Sequence, residues 1–439
     1  MPEVELTLLH TTADNRETGY FRCSDALLNN IYNLIDRAMA SNSASVLTDC
    51  PHREKLGWLE QAHLMQNSLM SRRDMRHIYR KAMADMSASQ LENGSIPTIA
   101  PEYVRFADGF EDSPEWGSAF IQCPYKAWIQ YGDEDILAEY YPQMKNFIEY
   151  LGTRADNHIV AYGLGDWYDI GPNNPGYSQL TSLGVTGTAI YYQNVLAMSR
   201  IAKILGENAD SEKYAGLASE IRDAFNSRFY KPAEGYYDRN SQTANAMALA
   251  LGLVEDENYH KVVKALATDI SAKGLTAGDI GYWYVIKALE GAGLSELLYN
   301  LNKRYDTPGY GWQLAHGATC LTKSWQAYGF VSNNHMMLGH LMEWLFSGLA
   351  GIFPDSEEGS RHLIIAPQCV GDVSDSEARI ETPYGEASSR WERHGDQIRL
   401  MVEVPANSYA TVKLPSGDIK VGSGCHRFEY VAPPYYSLN

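Results

Sequence analysis

The chain has 439 residues, of which 54 are acidic and 36 basic, giving a formal charge of −18; 45% are apolar and 11% aromatic, including 30 Tyr and 9 Trp. This much apolar and aromatic content excludes a disordered chain. The negative balance excludes nucleic-acid phosphate as the main partner, and no apolar run approaches the roughly 18 residues of a membrane span. The length suits one large domain, or a large one with a small one.

The N-terminus, MPEVELTLLHTT, is β-prone, acidic and without the basic-then-apolar pattern of a signal peptide. Residues 1–18 are expected to be a lead-in, in a protein that is either cytoplasmic or exported with its leader removed. From residue 24 to about 350 the pattern is helix after helix. Leu27, Leu28, Ile31, Ile35 and Ala38 make the first apolar stripe. Residues 48–61, TDCPHREKLGWLEQ, follow. Pro51 suits a first helical turn and Asp49 its N-cap, and a helix continuing from there puts Glu54, Trp58 and Gln61 on one face. A carboxylate beside an indole and near Arg53 has the ingredients of a tuned acid: apolar contact raises its pKa and the guanidinium opposes the rise. A capped helix with an internal ion pair would show the same spacing.

Further helices are expected at 57–71, 75–91, 116–131, 134–153, 180–205, 209–228, 243–253, 257–271 and 282–291, separated by Gly, Pro and Asn. Two loops among them mix acids with aromatics: Asp112 to Gly117 and Gly165 to Pro172. A last segment, Gly309 to Ile352, sets Gly, Ser and Asn around Trp312, Trp325 and His335. It leads into an amphipathic helix carrying Met337, Leu338, Leu341, Trp344, Leu345 and Leu349. Aromatic faces near amides and imidazole are what sugar recognition uses; core aromatics at helix ends are the competing reading. Four such loops on a helical scaffold suggest a carbohydrate cleft. A helical solenoid would also hold this many helices, but no internal period recurs.

After Pro354 the period changes to two. Ile398, Leu400, Val402 and Val404 alternate with polar neighbours, as do Ala410, Val412 and Leu414. That is the mark of an antiparallel sheet with one wet face. The six cysteines, at 23, 50, 123, 320, 369 and 425, form no CxxC pair and read as buried free thiols. No loop has an EF-hand pattern or clustered ligands, so no metal or other cofactor is expected.

Together these segments resemble the α-L-rhamnosidases of glycoside hydrolase family 78. The Asp-Cys-Pro-x-Arg-Glu…Gly-Trp run at 49–58 looks like that family's most recognisable block. PEWG at 114–117, GDW at 165–167, GAT at 317–319 and Asn-His at 334–335 follow in the family's order. The resemblance implies a mainly α protein: an (α/α)₆ barrel over 19–354 and a small antiparallel β-sandwich domain over 355–439. The family usually carries β-sandwich domains ahead of the barrel, so the chain reads as a minimal or shortened member. The resemblance also implies an exo-acting, inverting glycosidase whose partner is a rhamnose-containing oligosaccharide or glycoside.

By the same resemblance Glu54 matches the general acid. Asp49, Arg53 and Trp58 match residues that hold the sugar, Trp116 and Trp167 match pocket walls, and His335 matches a substrate-contacting histidine. Two positions depart. Glu60 and Gln61 stand where many members have an aspartate, and Lys323 stands where the family's general base is a glutamate. A lysine ammonium cannot deprotonate water unless burial depresses its pKa strongly. The sequence therefore leaves three readings open. Another carboxylate (Glu60, Asp112, Asp166, Asp169 or Glu343) takes over as base, the correspondence is displaced by a turn, or the chain has an altered role. That role would be binding without turnover or another activity, such as a lyase, at a rhamnose–uronate linkage.

Overall fold

A computed structural model describes residues 5–9 and 11–432. The first helix, Ala26–Asn42, begins where Asp25 accepts the Leu27 and Leu28 amides at 2.8 and 3.0 Å. It buries Leu28, Ile31, Ile35 and Ala38 of the expected stripe. Beyond it, six helical stretches pack side by side into a closed ring. They are Leu59–Leu64 continued by Gln66–Arg72, then Ala119–Tyr131, Leu183–Ile204, Gln242–Ala250, Asp279–Gly291, and Leu341–Trp344 continued by Leu345–Leu349, which returns to Gln66–Arg72. Arg76–Ser89, Glu134–Arg154, Asn208–Phe229, Tyr259–Lys273, Ser295–Asn302 and the first helix back this ring, completing an (α/α)₆ barrel. Burial follows the layer. Residues 242–249 of an inner helix are buried on every side, whereas outer Asn208–Phe229 buries one stripe, Tyr214, Ala218, Ile221, Phe225 and Phe229.

Two expected helices differ. Residues 51–54 form turns, and the helix begins only at Leu59. Asp49 is therefore no N-cap. It closes a loop instead: its amide donates to Leu56 O and its Oδ1 accepts the Leu56 amide, both at 3.0 Å. The expected helix from Met337 shrinks to Leu341–Trp344 and a π-helical turn, Leu345–Leu349. There a Cβ on Gly348 would lie 2.2 Å from the Trp344 ring, so only glycine lets that indole pack against its own backbone. The short helices Ser295–Asn302 and Tyr310–Ala315 carried too little periodic sequence to be anticipated.

The tail forms two sheets. Gly19–Cys23, Asp375–Thr382, Gly385–His394, Gln397–Val404 and Gly424–Val431 make an antiparallel five-stranded sheet. Its first strand comes from ahead of the barrel. Gly417–Val421, Tyr409–Leu414, Gly359–Ile365 and Ile352–Asp355 make the second sheet, whose middle pair is parallel, so the domain is mixed rather than wholly antiparallel. The period-two pattern lands as expected, with Ile398, Leu400, Val402 and Val404 buried. Of the cysteines, 23, 50, 123 and 320 are buried free thiols, Cys369 is half-buried and Cys425 is exposed on the last strand.

Trp391 joins the two regions. It is fully buried and its indole donates to Leu349 O at 2.7 Å, while Ser389 Oγ donates to Ala350 O at 2.6 Å. Trp391→Ala empties that junction and strands the Leu349 carbonyl. It is expected to cost about 3–5 kcal/mol, measurable as a lower urea midpoint.

Candidate active site

The loops leading into the first, second, third and last inner stretches enclose a cavity of about 390 Å³. Its lining comes from Glu54, Leu56 and Trp58 ahead of the first stretch, Glu60 in its first turn, Phe106, Phe110 and Trp116 ahead of the second, and Leu164 and Trp167 ahead of the third. Lys323, His335 and Met337 precede the last. Seven of the residues singled out from sequence thus meet here: Glu54, Trp58, Glu60, Trp116, Trp167, Lys323 and His335.

The two positions that the resemblance gives to the acid and the base meet directly. Lys323 Nζ donates to Glu54 Oε1 at 3.0 Å, and the Trp58 indole donates to Glu54 Oε2 at 3.0 Å. The Glu54 side chain is 41% exposed and that of Lys323 only 14%. Burial works to lower the Lys323 pKa, but Glu54 together with Tyr168 and Asp49 outweighs it and the net shift is upward. Lys323 is an ammonium at neutral pH and cannot take a proton from water.

Deeper lies Glu60, 4% exposed, with Oε2 unpartnered among the described residues. Burial raises its pKa and the Lys323 charge opposes the rise. Asp279 is wholly buried behind it: Oδ1 accepts the Ile280 amide at 2.8 Å, Oδ2 is unpartnered, and burial followed by Glu60 pushes its carboxyl well up. His335 is kept neutral by burial, with Lys323 acting in the same direction. Its Nδ1 accepts the Met337 amide at 3.2 Å, which leaves the proton on Nε2. The Trp116 indole N–H on the wall is also unpartnered.

Asp166 shapes the wall from behind. Its carboxylate accepts the Gly278 and Gly281 amides at 3.0 and 2.8 Å and the Thr243 hydroxyl, tying the loop ahead of the third inner helix to the starts of two others. Gly278 is required there: a Cβ would lie 2.2 Å from Trp167 O. Asp169 accepts the Gln179 and Leu180 amides at 2.9 and 2.7 Å and folds the loop between them. Between these anchors Tyr168 is held at φ 63°, which costs a bulky residue about 1–3 kcal/mol and persists only because its surroundings enforce it.

The other expected residues are placed elsewhere. Asp49 is buried under the loop, taking a contact from Cys50 Sγ at 2.8 Å. Arg53 lies outside the cavity lining and donates to Phe330 O at 2.9 Å. Gln61 is buried against Leu47 O. Asp112 lines a separate cavity and accepts the Tyr150 hydroxyl. Glu343 lines a cavity away from this site, paired with Lys287 at 3.2 Å. Trp312 and Trp325 do not reach the site: Trp325 is core, donating to Ala277 O at 2.9 Å, and Trp312 donates to Gln326 O. Sequence reasoning missed Phe106 and Phe110, whose i, i+4 spacing around Gly109 was the available signal. Phe106 stacks on Trp58 at 5.2 Å, and Phe110 meets Trp167 edge-on at 5.4 Å. Among the described residues no three His, Cys, Asp or Glu side chains gather as a metal would require.

Residues 16–349 match the bacterial alpha-L-rhamnosidase six-hairpin glycosidase domain, and residues 351–429 match the bacterial alpha-L-rhamnosidase C-terminal domain. An alpha-L-rhamnosidase of Formosa agariphila is 28% identical over 93% of this chain and 45% of its own, and one of Streptomyces avermitilis is 26% identical over 96% and 42%. Among solved structures, alpha-L-rhamnosidase from Dictyoglumus thermophilum superposes with a TM-score of 0.89 at 29% identity, covering 95% of this chain and 51% of that one. The Streptomyces avermitilis enzyme complexed with L-rhamnose gives 0.88 at 25%, covering 95% and 43%. The chain spans about half the length of the relatives it matches.

Beside Trp116, Glu115 is fully buried, with Oε2 taking the Ser113 hydroxyl at 2.7 Å and Oε1 unpartnered. Burial moves its pKa from 4.5 to about 7. The folded state holds this proton more tightly than the unfolded one, so the stabilisation is full below 4.5 and lost as pH rises through about 7. Melting temperature is expected to fall across that window, and Glu115→Gln to flatten the slope by up to one proton in a pH series of thermal melts.

Proposed function

The chain belongs to the bacterial alpha-L-rhamnosidase six-hairpin glycosidase family, and on that footing we propose that it removes terminal α-L-rhamnose from a glycan or glycoside, acting from the exposed end with inversion at the anomeric carbon. The observation that carries this reading is the cavity itself. A pocket of about 390 Å³, walled by Trp58, Trp116, Trp167, Phe106 and Phe110, suits the apolar face and methyl group of a 6-deoxy sugar. Neutral His335 and the Trp116 indole offer N–H groups to its hydroxyls. Glu54, the half-exposed carboxyl of the lining, is proposed as the proton donor to the departing glycosidic oxygen.

One observation favours a second reading. The Lys323–Glu54 pair at 3.0 Å occupies the proposed proton donor, as expected of a chain that binds rhamnose-containing glycans without cleaving them. A lyase acting beside a uronate is a third possibility, in which Lys323 would hold the carboxylate.

Incubation with an aryl α-L-rhamnoside decides among them. Release of the phenol is expected, and Glu54→Gln should lower kcat by about 10²–10⁴-fold with little change in KM. Calorimetric binding without release, from this substrate or from rhamnosylated oligosaccharides, would replace hydrolysis with the binding reading. An unsaturated, ultraviolet-absorbing product would point to the lyase.

A further inference from the structure

We propose that Glu60 is the general base of this pocket, taking over from the carboxylate absent at position 323, and that Lys323 serves as a counter-ion exchanged between Glu54 and Glu60. The inference rests on the hydrolytic reading above.

Elimination carries the first half. Asp166 is occupied by two amides and a hydroxyl, and Asp169 by two amides. Asp112 and Glu343 line other cavities, and Asp279 lies behind the wall. Glu60 alone among these carboxylates lines the sugar cavity. Depth agrees. Glu54 is 41% exposed and Glu60 only 4%. In an exo-acting pocket the leaving group departs through the mouth, so an inverting attack by water comes from the floor.

Charge carries the second half. Lys323, Tyr168 and Asp49 face Glu54; Lys323, Asp49 and Asp279 face Glu60. At rest Lys323 and the Trp58 indole are bonded to Glu54, while burial favours the protonated form of Glu60. The proposed cycle requires a protonated Glu54 facing an ionised Glu60. When Lys323 leaves Glu54 for Glu60, Glu60 loses its proton to solvent and Glu54 gains one. Water oxygen then bonds to the anomeric carbon as the carbon–oxygen bond to the leaving group breaks. The water's proton passes to the Glu60 carboxylate, and Glu54 gives its own to the departing oxygen. The products are rhamnose of inverted configuration, the free alcohol, ionised Glu54 and protonated Glu60; Glu54 then takes a proton from solvent and Glu60 returns one, which readies the pair for the next turnover.

The test uses the full chain and 2,4-dinitrophenyl α-L-rhamnoside, whose leaving group needs little acid assistance. Glu60→Gln, nearly isosteric, is expected to lower kcat by at least about 10²-fold, and added sodium azide to restore phenol release with formation of β-L-rhamnosyl azide. Retention of more than a tenth of wild-type kcat, loss without azide rescue, or an α-configured azide would overturn the proposal. Should Glu60→Gln not fold, position 323 supplies the second readout. Lys323→Glu is expected to lower the rate further, and a rise would place the missing base there and overturn the assignment to Glu60. In Lys323→Met, the alkaline limit of kcat/KM, set by loss of the pair's last proton from Glu60, should move to higher pH; an unmoved limit would exclude the counter-ion role. If the wild-type chain releases no phenol, the hydrolytic reading fails and the proposal with it. Release by wild type with Glu60→Gln unaffected overturns the proposal alone.

Discussion

Six inner helices closed into a ring impose the constraint from which the site follows. Each helix starts with amides that have no partner within the helix, and the ring buries several of these starts around one cavity. Something must accept from them where water is excluded. Asp166 does so for Gly278 and Gly281 while also taking the Thr243 hydroxyl, and Asp279 takes the Ile280 amide. Carboxyl groups are therefore drawn to these starts by the fold, before any catalytic demand is made of them. The partial positive charge of helix starts favours their ionised form, and burial favours the protonated one. Burial prevails at both carboxyls, but at Asp166 three donors oppose it, whereas one oxygen of Glu60 has none among the described residues.

That difference separates carboxylates that build the wall from those that face its contents. A carboxylate whose lone pairs are already used cannot also take a proton from water or grip a sugar hydroxyl. Aromatic walls sharpen the contrast, because Trp58, Trp116 and Trp167 displace water and leave each charge to be answered by a neighbour. Lys323 is answered by Glu54. The positive charge of Lys323 thus bears on more than one neighbour, since it pairs with Glu54, opposes the rise of the Glu60 pKa and helps keep His335 neutral.

Much of this was legible in the sequence, where the pattern was local. Amphipathic stripes located the long helices, period-two alternation located the sheet strands, and the 49–58 block placed Glu54 and Trp58 together. Their meeting does not come from helical spacing, because residues 51–54 are turns and Asp49 closes a loop rather than capping a helix. What remained hidden was non-local. Trp325 and Trp167 look alike in sequence, each an indole in a polar loop, yet Tyr282 and Tyr310 enclose the first edge-on while the second lines the cavity. Asp279 opens an ordinary apolar helix and gave no sign that it would lie behind Glu60. The separation of Asp112 and Glu343 from the site is likewise set by ring geometry, which no spacing within one helix encodes.

The strand Gly19–Cys23 pairs with Asp375–Thr382 across roughly 350 residues of intervening chain. During synthesis at about 5–20 residues per second, its partner follows it from the ribosome by some 20–70 s. For that interval Phe21 and Cys23, both buried in the finished sheet, have no sheet to join, while the barrel between them and their partner is still being made. The pairing thus binds a segment made before the barrel to one made after it. A nascent protein of this kind has a window of exposure fixed by translation speed, so its yield should depend on codon tempo and on holdase chaperones more than its finished stability would suggest.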